Sequence, residues 1–496
     1  MRDRRVRAET LMRIERERAP HNYVGGLDLQ SEGNQTLEVC GAADGEGLGR
    51  CPIAHPRDIE RAAEAARGAH AKLTGRDRER RARGLERLAR VVRDHQEDLA
   101  ILECLQTGRS YRDVLHHDLD LGVRTLRAAA GWLRSRQGEH HDLGDGRGAL
   151  VEPAAFAVRG VVLPSAEPLG VALRTSAMAL AAGSGLVLLA PPEAPLSILR
   201  LAALSREASL PGGALNALTG DGRASAEHLA EAPSIDALSF FGSLELGRRM
   251  LVSAAKSNLK AVDLEIESKM PCIVLEGSDP GRAVEEIFRS GLGSACQREP
   301  SASRILVHES LYAELASRLT QLAKSAVVSH PLDEHTELGP LCSEERMKRV
   351  LAYVELGRRE GASLVSGGTR EVEGARFSGC YVKPTLFLDP PVDGRLVREP
   401  IGGPVVTLER FHKEEEAIDR VHHGIGRRTA AVFGGDDVGA RRFARQLDFG
   451  TLAVNQTWEL EPELPHAASA EGAQAQLGRV GLDGTYGRWR TLLVRN

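Results

Sequence analysis

The chain has 496 residues, too many for one small core and suited to two or three domains. Hydrophobic residues make up 42% and charged residues 27%, a soluble globular balance. Lys plus Arg (65) nearly matches Asp plus Glu (69), and the formal net charge of −4 excludes a global pull toward nucleic acid or an anionic membrane. The seven Cys are scattered and never form a C-x-x-C pair. That excludes a disulfide framework or zinc ribbon and points to a reducing compartment. The opening residues are Arg-rich without an apolar run, and Asp3, Glu9, Glu15 and Glu17 argue against a transit peptide. The most apolar stretch, about 177–191, is too short to span a bilayer. The expectation is a cytoplasmic, soluble protein.

Residues 1–20 read as a charged helix or a disordered lead. A helical pattern runs from about 56 to 108. One helix begins near Arg57. A second covers about 76–107, with Leu85, Leu88, Val91, Val92, Leu99 and Leu102 at helical spacing. A third runs from Tyr111 to about Arg136. The pattern then changes to short apolar runs near 158–164, 185–190, 213–218 and 235–241, each followed by a Gly- or Pro-containing turn and a helical stretch. That alternation predicts βαβ units on a parallel sheet. A second series follows at about 271–277, 303–308, 362–368, 405–411, 429–435 and 450–455, and residues 486–496 read as a terminal strand. The coarse boundary between the two series lies near Val262.

Nine segments, in order, carry a family resemblance. Among them are LECLQTGRS (102–110), PGGALNALTGDG (211–222), LSFFGSLELGRRM (238–250), VDLEIESKMPCIVLEG (262–277), YVKPTLF (381–387), IGGPVV (401–406) and FGTLAVN (449–455). Together they resemble the aldehyde dehydrogenase superfamily. The resemblance implies an α/β fold with a Rossmann-type nucleotide-binding domain (1–139 and 160–261), an α/β catalytic-type domain (262–464) and a small bridging β element (140–159 and 465–496). It also implies the family's chemistry: a Cys thiolate adds to an aldehyde, an Asn side chain and a backbone N–H hold the oxyanion, hydride leaves to NAD(P), and a Glu activates water. Fold does not carry function, so each position is read in turn.

The run ACQREPSASR (295–304) aligns without a gap on the family's A-G-Q-x-C-T-x-x-S-R, which puts Glu299 at the nucleophile position. Cys296 lies three residues earlier, where the family commonly has Gly; only a gap on each side would make it the nucleophile. The segment VDLEIESK puts Glu265 at the general-base position and replaces the following Gly-Gly by Glu267-Ser268. The segment PSAEP (164–168) puts Ala166 at the oxyanion Asn. One such donor is worth roughly 10²–10³ in rate. On the cofactor side, Leu189 replaces a ribose-binding Lys, Pro192 an acidic residue, Pro400 a ribose-binding Glu, and Gly402 a ring-packing Phe. Gly242, Ser243 and Gly247 retain the G-S-x-x-x-G turn that opens a helix after a strand, and Gly220 is a further remnant. Near the end, His466 and its successors replace a Gly-rich run.

Each residue also has a plain structural reading: Glu265 as a leftover, Cys296 as a small buried hydrophobe, Gly242 and Ser243 as turn formers, Arg304 as a core brace, and the His116-His117, His140-His141 and His422-His423 pairs as surface residues without metal spacing. Removing a covalent nucleophile costs on the order of 10⁶ in kcat. Losses at four separate motifs therefore lead to the expectation of a catalytically inactive relative, an interaction or scaffold subunit with no metal and no or weak NAD(P) binding. It is expected to form a homodimer or homotetramer, or to join a paralogous subunit, without nucleic-acid or membrane partners. The alternative is a weak or divergent NAD(P)-dependent oxidoreductase using Cys296, or non-redox carboxylate chemistry by Glu265 and Glu299.

Overall fold

A computed structural model describes residues 2–75, 78–298, 300–424, 427–457, 460–466 and 478–495. Glu299 therefore lies outside the described residues. The chain begins with a helix, Arg2–Glu17, and two antiparallel pairs, β1 (Asn22–Val24) with β2 (Leu27–Leu29) and β3 (Thr36–Cys40) with β4 (Gly47–Pro52). These four short strands had no clear sequence signal. The expected second helix is two, Arg78–Asp94 and Gln96–Thr107, broken at His95. No Gly or Pro marks that break; tertiary contacts of His95 with Glu207 and Arg200 accompany it. The second of these helices ends at Gly108, whose positive φ (78°) and close approach to the Pro340 carbonyl leave no room for a Cβ.

The hairpin β5 (Glu139–Gly144) and β6 (Arg147–Ala155) precedes β7 (Val158–Val162), β8 (Gly185–Ala190), β9 (Leu215–Thr219), β10 (Ala237–Gly242) and β11 (Ala261–Ile266). These last five, with β1 and β2, form a sheet in the order β11-β10-β7-β8-β9-β1-β2, parallel throughout β7 to β11. Because helices cover both faces, the strands are apolar without alternation, as in Gly185–Ala190, where every residue is buried. The helix Pro168–Ala182 is buried along its whole length. It starts with Pro at its first position and ends at Gly183 in the left-handed region.

The second sheet comprises β12 (Met270–Val274), β13 (Ala302–His308), β14 (Ser363–Ser366), β15 (Thr385–Leu388), β16 (Val405–Phe411), β17 (Thr429–Phe433) and β18 (Thr451–Val454), in the order β14-β15-β16-β13-β12-β17-β18. The series is parallel except at one edge, where β14 runs antiparallel to β15, a departure from the uniform βαβ expectation. The strand β11 extends to Ile266, so the passage between sheets comes a few residues after the expected boundary at 262. The last strand, β19 (Gly487–Arg495), pairs with β6 along its full length and makes a separate sheet β19-β6-β5.

Buried ion pairs brace both sheets. In the first, Arg159 on β7 donates to Asp263 on β11 (2.7 Å), to Ser239 on β10 (2.8 Å) and to the Thr485 carbonyl (2.5 Å). That ties the C-terminal arm to the sheet. In the second, Arg304 on β13 grips Glu409 on β16 through two hydrogen bonds of 2.6 and 2.9 Å, both side chains 2% exposed. Removing one member of such a pair strands the other in a low dielectric. Arg304→Ala is expected to cost about 3–5 kcal/mol in urea unfolding, while Arg304→Met combined with Glu409→Leu retains most of the stability. Equal losses in the two variants would show that packing, not pairing, dominates there.

Candidate functional site

The C-terminal ends of the first sheet's strands face the N-terminal ends of the second's, and an interior chamber lies between them. Ala166 follows β7, Gly242 closes β10, and Glu265, Glu267 and Ser268 close β11. From the other lobe come Cys296 and Arg298 ahead of β13, Pro400 to Gly403 ahead of β16, and Arg428 ahead of β17. Sites of open α/β sheets form at such strand ends. The fold thus brings together Glu265, Ala166 and Pro400, and Cys296 lines the same chamber.

Glu265 is 5% exposed and paired from two directions. Arg428 donates to its Oε2 at 2.8 Å, and Arg174 lies 3.7 Å from the same oxygen. Its Oε1 is buried and accepts no hydrogen bond among the described residues. Arg174 comes from the buried helix Pro168–Ala182 and also donates to Glu167 (3.3 Å). Arg428 reaches His466 as well, at 2.7 Å. Burial, together with the Arg428 and Arg174 charges, holds the His466 pKa well below its usual value, so the neutral ring accepts from Arg428. These arginines were missed in the sequence. The one available signal was Arg174 itself, a lone charge in a helix that is otherwise apolar or small.

Ala166 presents a methyl group to the chamber. Ala295 and Cys296 both have positive φ (52° and 49°), a conformation glycine takes without strain. Cys296 thus occupies a backbone position that suits the Gly of the resembling pattern. Arg298 is 6% exposed and contacts His117 Nε2, with Asp113 at 3.8 Å. His117, expected on the surface, instead lines a vestibule beside the chamber, while His140 and His141 are exposed. Among the described residues, no group of three His, Cys, Asp or Glu could hold a metal ion.

A second cleft opens from the chamber toward β8, β9 and the start of the helix Leu244–Lys256. Ser243 caps that helix, its Oγ accepting from the Leu246 N–H at 3.3 Å. Glycine at 247 lets the helix approach Ile266, whose Cδ1 would lie 2.7 Å from a Cβ there. Gly220 packs against Ser225 and Leu189 with no space for a side chain. Leu189 is buried and offers the cleft no polar atom. Arg346 enters from the other lobe, sits where a Cβ on Gly402 would be, and pairs with Glu267 at 3.7 Å. Arg349 donates to the Pro400 carbonyl at 3.0 Å.

The sequence profile of the aldehyde dehydrogenase family matches residues 29–472. The chain belongs to this family. As an aldehyde dehydrogenase-family protein it superposes on an NAD+ complex of aldehyde dehydrogenase from Bacillus cereus with a TM-score of 0.93, 28% identity, and coverage of 99% of this chain and 98% of that one. An NAD-dependent aldehyde dehydrogenase from Sinorhizobium meliloti gives 0.92 and 29%, covering 98% and 96%. A mutant P. syringae indole-3-acetaldehyde dehydrogenase in complex with NAD+ and IAA gives 0.95 and 26%, covering 100% and 99%. The family assignment and the α/β architecture expected from the sequence therefore hold. No helix among the described residues is long and apolar enough to cross a membrane.

Next to the chamber residue Ser268, Lys269 is buried and donates to the Leu396 carbonyl at 2.6 Å. Burial, reinforced by Arg304, brings its pKa down to about 7. The folded protein then holds fewer protons than the unfolded chain between about pH 7 and the ordinary lysine value of 10.5. Stability from this group is complete above that window and is lost as pH falls through it. Lys269→Met is expected to flatten the rise in denaturation midpoint between about pH 7 and pH 9.5. An unchanged slope would place a charged lysine in the folded state.

Proposed function

We propose that this chain is a catalytically inactive member of the aldehyde dehydrogenase family that serves as an interaction or scaffold subunit. The observation that carries the reading is the pairing of Glu265 with Arg428 and Arg174. A general base must receive a proton from water. The Oε2 of Glu265 is already bonded across the lobes, and freeing it would leave two buried guanidinium groups facing each other. Ala166 supports the same reading, because a methyl group cannot donate to an oxyanion. Glu299, at the nucleophile position in ungapped register, supplies a carboxylate where a thiolate is required.

The residues of the cleft bear on whether NAD(P) fits it. Leu189 and Pro400 have no side-chain hydrogen bond to give a ribose. Arg346 and Glu267 fill the space that glycines would leave beside a nicotinamide. The turn at Gly242 and Ser243 has a structural explanation in the helix cap. These residues do not fit a cofactor bound in the family's manner, so hydride transfer has no place in this reading, and binding is weak or absent.

One observation favours the alternative enzyme. Cys296 lines the chamber, and a thiol there could attack an aldehyde if the backbone carried it to the reacting carbon. A calorimetric titration with NAD+ and NADP+, run beside an aldehyde panel, separates the readings. No saturable cofactor binding and no oxidation above background are expected. Glu299→Cys alone restores no normal turnover, because Ala166, Leu189 and Pro400 remain; adding Ala166→Asn, Leu189→Lys and Pro400→Glu restores some. A micromolar cofactor Kd, or native turnover abolished by Cys296→Ala, would make the chain a working dehydrogenase.

The scaffold role needs a surface. The three-stranded sheet has β19 and β5 at its edges, and Trp489, Leu492, Leu493 and Leu143 on these strands are exposed. Open apolar edges invite strand pairing. A homodimer or homotetramer built on this arm is expected in sedimentation velocity, with a paralogous subunit as a further partner. A clean monomer at high concentration, unchanged by Leu493→Lys, counts against it.

A further inference from the structure

The helices Arg78–Asp94 and Asp120–Ser135 pack against each other in opposite directions, so that the end of one meets the start of the other. Their exposed side is a strip lined with arginines. At one end Arg83 and Arg134 share the carboxylate of Glu79, at 3.4 and 2.7 Å. At the other end Arg93 and Arg124 share Asp120, at 3.5 and 3.3 Å. Between these pairs stand Arg90 and Arg127. Arg90 follows Arg83 by seven residues and Arg127 precedes Arg134 by seven. Seven residues are close to two helical turns, so both keep the side of their helix that Glu79 bridges. Both are exposed. Among the described residues neither has a carboxylate partner: Glu86 is turned to Arg134 (2.6 Å), and Asp94 pairs with neither. The middle of the strip thus repeats the arginine pair of its two ends without the shared acid.

Gly131 lies in the same strip, between Arg127 and Arg134 in the interior of its helix, where glycine is a poorer helix former than alanine. A Cβ there would meet no atom within 4 Å, so packing inside the chain does not call for glycine. A bare backbone at such a place lets an outside chain come close. We propose that the strip docks an acidic segment of a partner protein over Gly131, with a carboxylate of the partner between Arg90 and Arg127. That carboxylate takes the place that Glu79 and Asp120 hold in the flanking pairs, gripped by charge-assisted hydrogen bonds. A protein segment fits better than a nucleic acid or polyphosphate. Glu79, Glu86 and Asp120 alternate with the arginines; they repel a continuous polyanion but suit a segment of mixed charge. Each helix is about 24 Å long, and two helices about 10 Å apart expose a face of about 500 Å², below the roughly 800 Å² per partner of a stable interface. The contact is therefore transient and steered by charge. It extends the scaffold reading to a surface other than the arm; sedimentation tests the arm and peptide binding tests the strip, so either fails alone.

The test is fluorescence anisotropy of a labelled helical peptide, with a Glu at each turn of one face, titrated with the full chain. Saturable binding at low salt is expected, weakened about tenfold between about 50 and 200 mM salt. The same peptide with Gln for Glu does not bind. Arg90→Gln combined with Arg127→Gln weakens binding about tenfold and leaves the melting temperature unchanged, since neither exposed side chain is paired within the chain. Arg441→Gln combined with Arg442→Gln, on another exposed helix, leaves binding as it is. Gly131→Gln separates stability from docking. It raises the melting temperature, as a better helix former in open space, and weakens binding by obstructing the seat. No saturable binding, or binding that the Arg90 and Arg127 changes reduce no more than the Arg441 and Arg442 changes, overturns the proposal. Tighter binding of a single-stranded oligonucleotide of equal charge, lost in the same Arg90 and Arg127 variant, overturns the acidic-segment assignment and gives the strip to a phosphate polymer. Binding unchanged by Gly131→Gln overturns the seat over that glycine.

Discussion

The pair between Glu265 and Arg428 joins the two lobes. Glu265 ends β11 of the first sheet, and Arg428 stands just before β17 of the second. Arg174 closes the group from a helix of the first lobe, and His466, held neutral, accepts from Arg428. Each charge is desolvated, and each is tolerable only because the others are present. The constraint runs in both directions. The lobes cannot separate without exposing the pair, and the Oε2 of Glu265 cannot turn away without breaking the joint.

The parallel strands were legible because strands buried on both faces read as unbroken apolar runs. The terminal strand and the hairpin region are exposed, and the family pattern made them legible. What sequence reading lost was short or tertiary. The strands β1 to β4 have three to six residues each and no alternation to mark them. The break at His95 has no Gly or Pro to mark it, and the contacts that accompany it come from Glu207 and Arg200, more than a hundred positions away. The edge strand β14 has apolar residues like its neighbours, and only pairing direction sets it apart.

The site was legible at the positions the family pattern names, and not at the arginines. Ala166, Leu189 and Pro400 could be found by register alone. Arg428 and Arg298 could not, since nothing local distinguishes a buried Arg from the many exposed ones in this Arg-rich chain. Their roles emerge only when strand ends from both lobes are brought together. The histidine pairs illustrate the same limit. His140 and His141 are exposed as expected, while His117 sits in the vestibule because a π-helical turn at Val114–Leu119 rotates it beside Arg298.

The substitutions around the cleft fit one another. Gly402 leaves a gap beside the chamber, and the Arg346 side chain fills it. That guanidinium would be a half-buried charge on its own, but Glu267, one of the two residues standing in place of the expected glycines, lies 3.7 Å away. Leu189, where the resemblance expects a lysine, packs against the close turn at Gly220 and joins the apolar core. Unconstrained loss of polar side chains would leave orphaned charges and cavities, each costing stability. Here Arg346 and Glu267 satisfy one another on the cleft side.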